Sequence, residues 1–135
     1  MGGLIENPVS YAENVVGKDP FATFLGVQVE EVREGYARCS ITIKPEYLNA
    51  VERAHGAAVF AVVDQAFAVA SNSTGNMAVA VNFNINYIAA AIDGEKIFAE
   101  AVPLNIGRKL SVWQIEVRGL NDKLIAAGQG TVYHK

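Results

Sequence analysis

The sequence predicts an α+β domain in which an antiparallel sheet of five or six strands wraps around one long central helix. Three observations lead there. The Ala- and Val-rich run Ala57–Ser73 carries no turn signal and exceeds the usual strand length, which makes it a helix. Before and after it, apolar and polar residues alternate with the period of two that half-buried strands require. The 135 residues, with 51% hydrophobic and 19% charged side chains, amount to one domain (1–135) able to bury a core without disulfide or metal staples.

Taken in order, Pro8 to Gly26 holds short helical pieces, with Asp19-Pro20 as a helix start. Val27–Val32 and Tyr36–Ile43 form a hairpin about the Glu34-Gly35 turn. In the second strand Ala37, Cys39, Ile41 and Ile43 share one face. Lys44–Ala54 is a loop. The helix then opens after His55-Gly56, and Gly75 is placed to terminate it. Its apolar residues run all the way round, the pattern of a helix buried on every side. Beyond it Met77, Val79, Val81, Phe83, Ile85 and Tyr87 make one strand face, against Asn82, Asn84 and Asn86. Asp93-Gly94 turns the chain, and Lys96–Val102, Leu110–Arg118 and Leu124–Tyr133 supply three more strands.

Composition excludes several classes. Eleven basic against fourteen acidic residues give a net charge of -3, and no basic run provides a nucleic-acid footprint. The 28 residues between Asp64 and Asp93 carry no charge, but Ser71-Asn72-Ser73-Thr74-Gly75-Asn76 interrupts them before a membrane span is reached. The start Met1-Gly-Gly-Leu-Ile-Glu-Asn-Pro8 lacks the basic and apolar segments of a secretion signal. A lone cysteine, Cys39, fits a reducing cytoplasm. The high apolar content points to surface covered by another subunit. No metal-ligand cluster is expected from two histidines and one cysteine at unrelated positions.

Asp64 stands out chemically. It lies between Val63 and Gln65 in the middle of the apolar helix, where an unpaired charge is costly and its pKa is driven upward. Either the carboxylate has work to do or it is a structural group paired to a cation or a subunit interface; the pattern leaves both open. His55-Gly56 lies where backbone N–H groups and the positive end of the helix dipole converge, an arrangement suited to an oxyanion. Asp64 is eight residues past Gly56, about 12 Å of helix rise. One chain therefore cannot bring both to one carbonyl, and a shared site needs a second subunit. Cys39, on an apolar strand face, reads as inert.

In the order Asn49, His55-Gly56-Ala57-Ala58, Asp64, then Gly75, the strand Ala80–Ile88 and Gly107-Arg108, the chain resembles the hotdog-fold acyl-CoA thioesterases, the phenylacetate-pathway branch above all. In that family a His-Gly-Gly motif opens the central helix and a carboxylate follows eight residues after the first glycine. The resemblance runs from about Asn49 to the end of the chain. It implies a hotdog fold and thioester hydrolysis without metal or redox cofactor, coenzyme A being part of the substrate. Asp64 would be nucleophile or general base, the Gly56 N–H the oxyanion donor, Asn49 a holder of the carbonyl or water, and His55 a residue that orients the loop. Arg108 and Lys109 would meet coenzyme-A phosphates. Relatives form dimers with antiparallel helices and sites shared across the interface, and tetramers are expected.

Three positions depart from the family. Ala57 replaces the second glycine and keeps a backbone N–H. Ile88-Ala89-Ala90-Ala91 stands where many relatives carry a Leu-Arg-Pro-like stretch, so an arginine contact to coenzyme A is missing at Ala89. Ala68 stands one turn after Asp64, where some relatives place a threonine for the attacking water. These departures keep open a second class, a non-catalytic acyl-CoA-binding or scaffolding module on the same fold. A hydratase would want an Asp–His pair, and no histidine follows Asp64 until His134.

Overall fold

Two proline-led helices open the chain in the computed structural model, which describes residues 6–135; the reading of Met1–Ile5 lies outside them. Helix α1 is Pro8–Asn14 and α2 is Pro20–Leu25. Asp19 caps α2, its Oδ1 accepting the Ala22 N–H at 2.8 Å, and Gly26 ends it with φ +80°. Helix α3, Gly56–Asn72, is the long central one.

Six strands form one sheet: β1 (Gln28–Arg33), β2 (Tyr36–Thr42), β3 (Ala78–Tyr87), β4 (Lys96–Ile106), β5 (Leu110–Arg118) and β6 (Leu124–His134). Their order is β1-β2-β4-β5-β6-β3, every neighbouring pair antiparallel. The sheet wraps α3, and β1 and β3 are its edges. Small residues make the close wrap possible: Ala37 on β2 and Ala99 and Ala101 on β4, fully buried, sit beside Cys39, Ile41 and Ile97 on the face toward the helix. From β5, Trp113, Ile115 and Val117 complete that face. Burial pushes the Cys39 thiol up to about 12, with a smaller contribution from Glu30, so it stays protonated and inert. Among the described residues no helix is long and apolar enough to cross a membrane.

Three sequence expectations shift. β4 continues past Val102 through Pro103 to Ile106. Beyond Ala101 it has lost its β2 neighbour, and a register shift at Pro103/Asn105 accommodates the proline. The face Met77 to Tyr87 is not continuous, because a register shift between Ala80 and Asn82 slips the alternation. Val79 and Val81 point to solvent, while Phe83 packs edge-on against Phe60 and Phe67 of α3. The third correction concerns α3, which is not covered on every side. Ala57 and Asp64 are exposed and Ala61 and Ala68 half-buried, so one stripe of the helix is open in a single chain. Alanine explains the error: its apolar methyl suits a core and an open stripe alike.

The two ends of the sheet are fastened differently. Where α3 finishes, Ser73 Oγ accepts the Gly35 N–H at 2.8 Å, and Trp113 Nε1 donates to the Gly35 carbonyl at 2.8 Å. Gly35, at φ +80°, supplies the left-handed turn predicted at Glu34-Gly35. At the opposite end Glu95 is buried with no cation beside it among the described residues. Its carboxylate accepts the Ile92 N–H at 3.1 Å and the Leu120 N–H at 2.9 Å, tying the segment 88–95 to the turn before β6. Glu95→Ala leaves two donors short of an acceptor, and we expect a loss of about 1–3 kcal/mol in chemical denaturation.

Candidate active site

The first turn of α3 is built by its cap. His55 is the N-cap, and its Nδ1 accepts the Ala57 N–H at 3.0 Å. The Ala58 and Val59 N–H groups both reach the His55 carbonyl, at 2.9 and 3.2 Å. That leaves Gly56, whose N–H has no acceptor among the described residues. Of the orphan donors a helix start always presents, this one alone remains available to a ligand. As the N-cap, His55 fixes the geometry of the helix start.

Gly56 leaves room for the Tyr87 ring. A Cβ there would come within 3.3 Å of the Tyr87 ring, and the Tyr87 hydroxyl donates to the Gly56 carbonyl at 3.2 Å. Gly56 lines a cleft together with Asn49, Arg53, Tyr87 and Ala89. Asn49 holds the cleft's rim: its Oδ1 accepts the Val51 and Arg53 N–H groups at 3.0 and 3.1 Å. With that oxygen engaged, only its Nδ2 is left, so toward a ligand the side chain is a donor.

Asp64 lies elsewhere. It borders a separate cavity of about 120 Å³ between α2 and α3, lined also by Asp19, Phe21, Phe60 and Gln65. The sequence pattern predicts a buried Asp64; in a single chain it lies on the open stripe of α3 and is exposed. Water reaches the residue from one side, while protein flanks the carboxyl on the other. That partial loss of hydration, with the negative charge of Asp19 adding to it, holds the Asp64 pKa above the ordinary aspartate value. Among the described residues no cation is paired with it.

The structure therefore brings Asn49, His55 and Gly56 together at one end of α3 and leaves Asp64 two turns away, as the helix rise requires. Arg108 and Lys109 are exposed in the β4–β5 turn, at the sheet end where α3 finishes. Within one chain they stand about a helix length, roughly 25 Å, from Gly56. Tyr87 and Asp19, which line the two cavities, do not stand out in the sequence. Tyr87 read as one more apolar-face residue, and Asp19 as a cap, which it also is. Among the described residues no three His, Cys, Asp or Glu side chains group as metal ligands would.

Comparison with known proteins agrees with this architecture. Residues 52–126 match the family model of the Thioesterase superfamily. A putative esterase of Archaeoglobus fulgidus is 43% identical over 115 residues, 85% of this chain and 75% of that protein. The Escherichia coli acyl-coenzyme A thioesterase PaaI is 31% identical, over 83% of this chain and 80% of its own. The solved structure of E. coli PaaI, from the phenylacetic acid degradation operon, superimposes with a TM-score of 0.85 at 30% identity, over 87% of this chain and 86% of that one. A mutant of the phenylacetic acid degradation protein PaaI from Thermus thermophilus gives 0.83 at 33%, over 87% and 100%. The six-stranded sheet around one helix is the hotdog fold, and the chain belongs to the thioesterase superfamily, in the branch of the phenylacetate-degradation proteins.

Proposed function

We propose that the protein is an acyl-CoA thioesterase, hydrolysing a thioester to a carboxylic acid and coenzyme A. The observation that carries the reading is the pair of unsatisfied groups on α3: a Gly56 N–H without an acceptor at the helix start, and an Asp64 carboxylate without a cation two turns on, both among the described residues. Relatives named as acyl-coenzyme A thioesterases support the substrate class.

The chemistry assigns each group a role. The Gly56 N–H and Asn49 Nδ2 donate to the carbonyl oxygen as negative charge develops there. Asp64 takes the proton of an attacking water, whose oxygen bonds to the carbonyl carbon. As the C–S bond breaks, the electron pair leaves on sulfur and the proton passes from Asp64 to the thiolate. Attack by Asp64 itself, with a mixed anhydride then hydrolysed by water, uses the same carboxylate in the same place. No metal or redox cofactor enters either route.

Because one chain separates these groups, the working unit is a dimer at least, with Asp64 of one copy facing Gly56 and Asn49 of the other; a homotetramer is the assembly we expect. Strand β3 is an open edge suited to antiparallel pairing about a two-fold axis. Such pairing brings the Ala78 end of one β3 beside the Tyr87 end of its partner. Arg108 and Lys109, near the Ala78 end through the register Leu110–Tyr133–Val79, then approach the partner's cleft, where they meet coenzyme-A phosphates. The double variant Arg108→Ala, Lys109→Ala should raise KM for acyl-CoA by up to about fivefold per charge, the scale of an exposed ion pair. It should leave KM unchanged for a short thioester lacking the nucleotide. A reducing cytoplasm suits the lone Cys39.

The test is thiol release from short, medium, long and aromatic acyl-CoAs, wild type beside Asp64→Asn. A second reading, an acyl-CoA-binding module without turnover, is favoured by Ala68, which leaves no hydroxyl beside Asp64 on the open stripe. It expects coenzyme-A binding with no thiol release from either protein.

A further inference from the structure

Two carboxylates share the cavity between α2 and α3. Asp64 borders it from α3, Asp19 from the residue before α2, and no cationic side chain is part of its lining. The charged groups on every element packed there are few. On α3 and its cap the only other titratable side chain is His55, occupied in capping Ala57. Lys18, on the turn before Asp19, stays outside the cavity. Gln65 turns its amide away, donating to the Val16 carbonyl at 2.8 Å. The strands packed against α3 present apolar residues to its middle, and the buried pair Ser111 and His134 lies at the sheet end where α3 finishes. Within one chain, among the described residues, the one charge acting on Asp64 is of its own sign.

The two carboxyls have unlike surroundings. Asp19 is fixed by the Ala22 N–H at 2.8 Å, at the start of a helix, where an anion is favoured. Asp64 has no hydrogen-bond partner among the described residues.

We propose that Asp19 is a positioning residue of the reaction, whose charge, held in place by the α2 cap, acts through Asp64 across their shared cavity and makes Asp64 the stronger proton acceptor. This rests on the reading of Asp64 given above. It suits a base that takes a proton from water, since base strength rises with proton affinity.

Asp19→Asn removes the charge and keeps a competent cap. In wild type, kcat/KM falls on the acid side as Asp64 takes up its proton. In Asp19→Asn that limb should move to lower pH, because a like charge beside Asp64 is gone. Asp19→Ser, neutral and also a cap, should behave alike. A purely structural Asp19 would lower the yield or the melting temperature and leave the limb where it was. Carbon-13 titration of the Asp64 carboxyl, wild type against Asp19→Asn, reads the coupling without any assay of turnover. A lower midpoint in the variant supports the pairing and an unchanged one overturns it, whichever way hydrolysis comes out. Absence of hydrolysis by wild type would instead count against the thioesterase reading, so the two failures are separable.

Discussion

Asp64→Asn should lower kcat by at least about 100-fold, the scale on which a general base or nucleophile contributes, with the fold unchanged. The amide is nearly isosteric, so the comparison isolates the loss of a proton acceptor. The same substitution should raise the melting temperature at neutral pH, and the raised pKa fixes that sign. A carboxyl whose folded pKa lies above its unfolded value resists ionisation in the folded state. Its charge therefore costs stability once pH climbs from the unfolded value through the folded one, and costs nothing below both. The asparagine side chain is neutral throughout. Melting curves of wild type and variant should thus converge in acid and separate toward neutrality, the variant above. Activity and stability moving in opposite directions would mark Asp64 as a group retained for chemistry. A structural carboxylate satisfied by a cation from another subunit would give the reverse: unchanged rate and a lower melting temperature.

The largest loss of stability is expected at Trp113. The indole is fully buried on the sheet face toward α3, and its Nε1 donates to the Gly35 carbonyl at 2.8 Å. Trp113→Ala removes the largest side chain of the core and should cost about 3–5 kcal/mol, compared by chemical denaturation at one fixed protein concentration. Trp113→Phe keeps most of the ring volume and forfeits the hydrogen bond. Its cost should be smaller, about 1–2 kcal/mol plus whatever the smaller ring leaves unfilled. The difference between the two separates packing from the tie to the hairpin turn. Equal costs would mean that the hydrogen bond to Gly35 carries the effect.

Most of the architecture was legible because each element repeats its own period. The alternation in Tyr36–Thr42 and Leu110–Arg118 places the right residues inward, and Asp19-Pro20 does start a helix. What escaped was whatever breaks a period without changing composition. The slip at Ala80/Asn82 turns Val79 and Val81 outward, yet nothing in the residues themselves marks it. Apart from Asp64, the open stripe of α3 is alanine, equally at home inside or out. At the site, Gly56 and Asp64 were visible as exceptions, a glycine at a helix start and a charge in an apolar run. Tyr87 and Asp19 were hidden because each already had an ordinary explanation, and their second relation, to Gly56 and to Asp64, spans 31 and 45 residues of chain.

The two-turn gap along α3 also bears on how defects in this protein would be inherited. If each working site takes its carboxylate from one chain and its amide from another, a lesion at Asp64 and a lesion at Gly56 damage different halves of the same site. Two chains each crippled in one of these ways, made in the same cell, would assemble hybrids in which one site collects both faults and the other none. Alleles of the two kinds would then rescue one another, while two alleles of one kind would not.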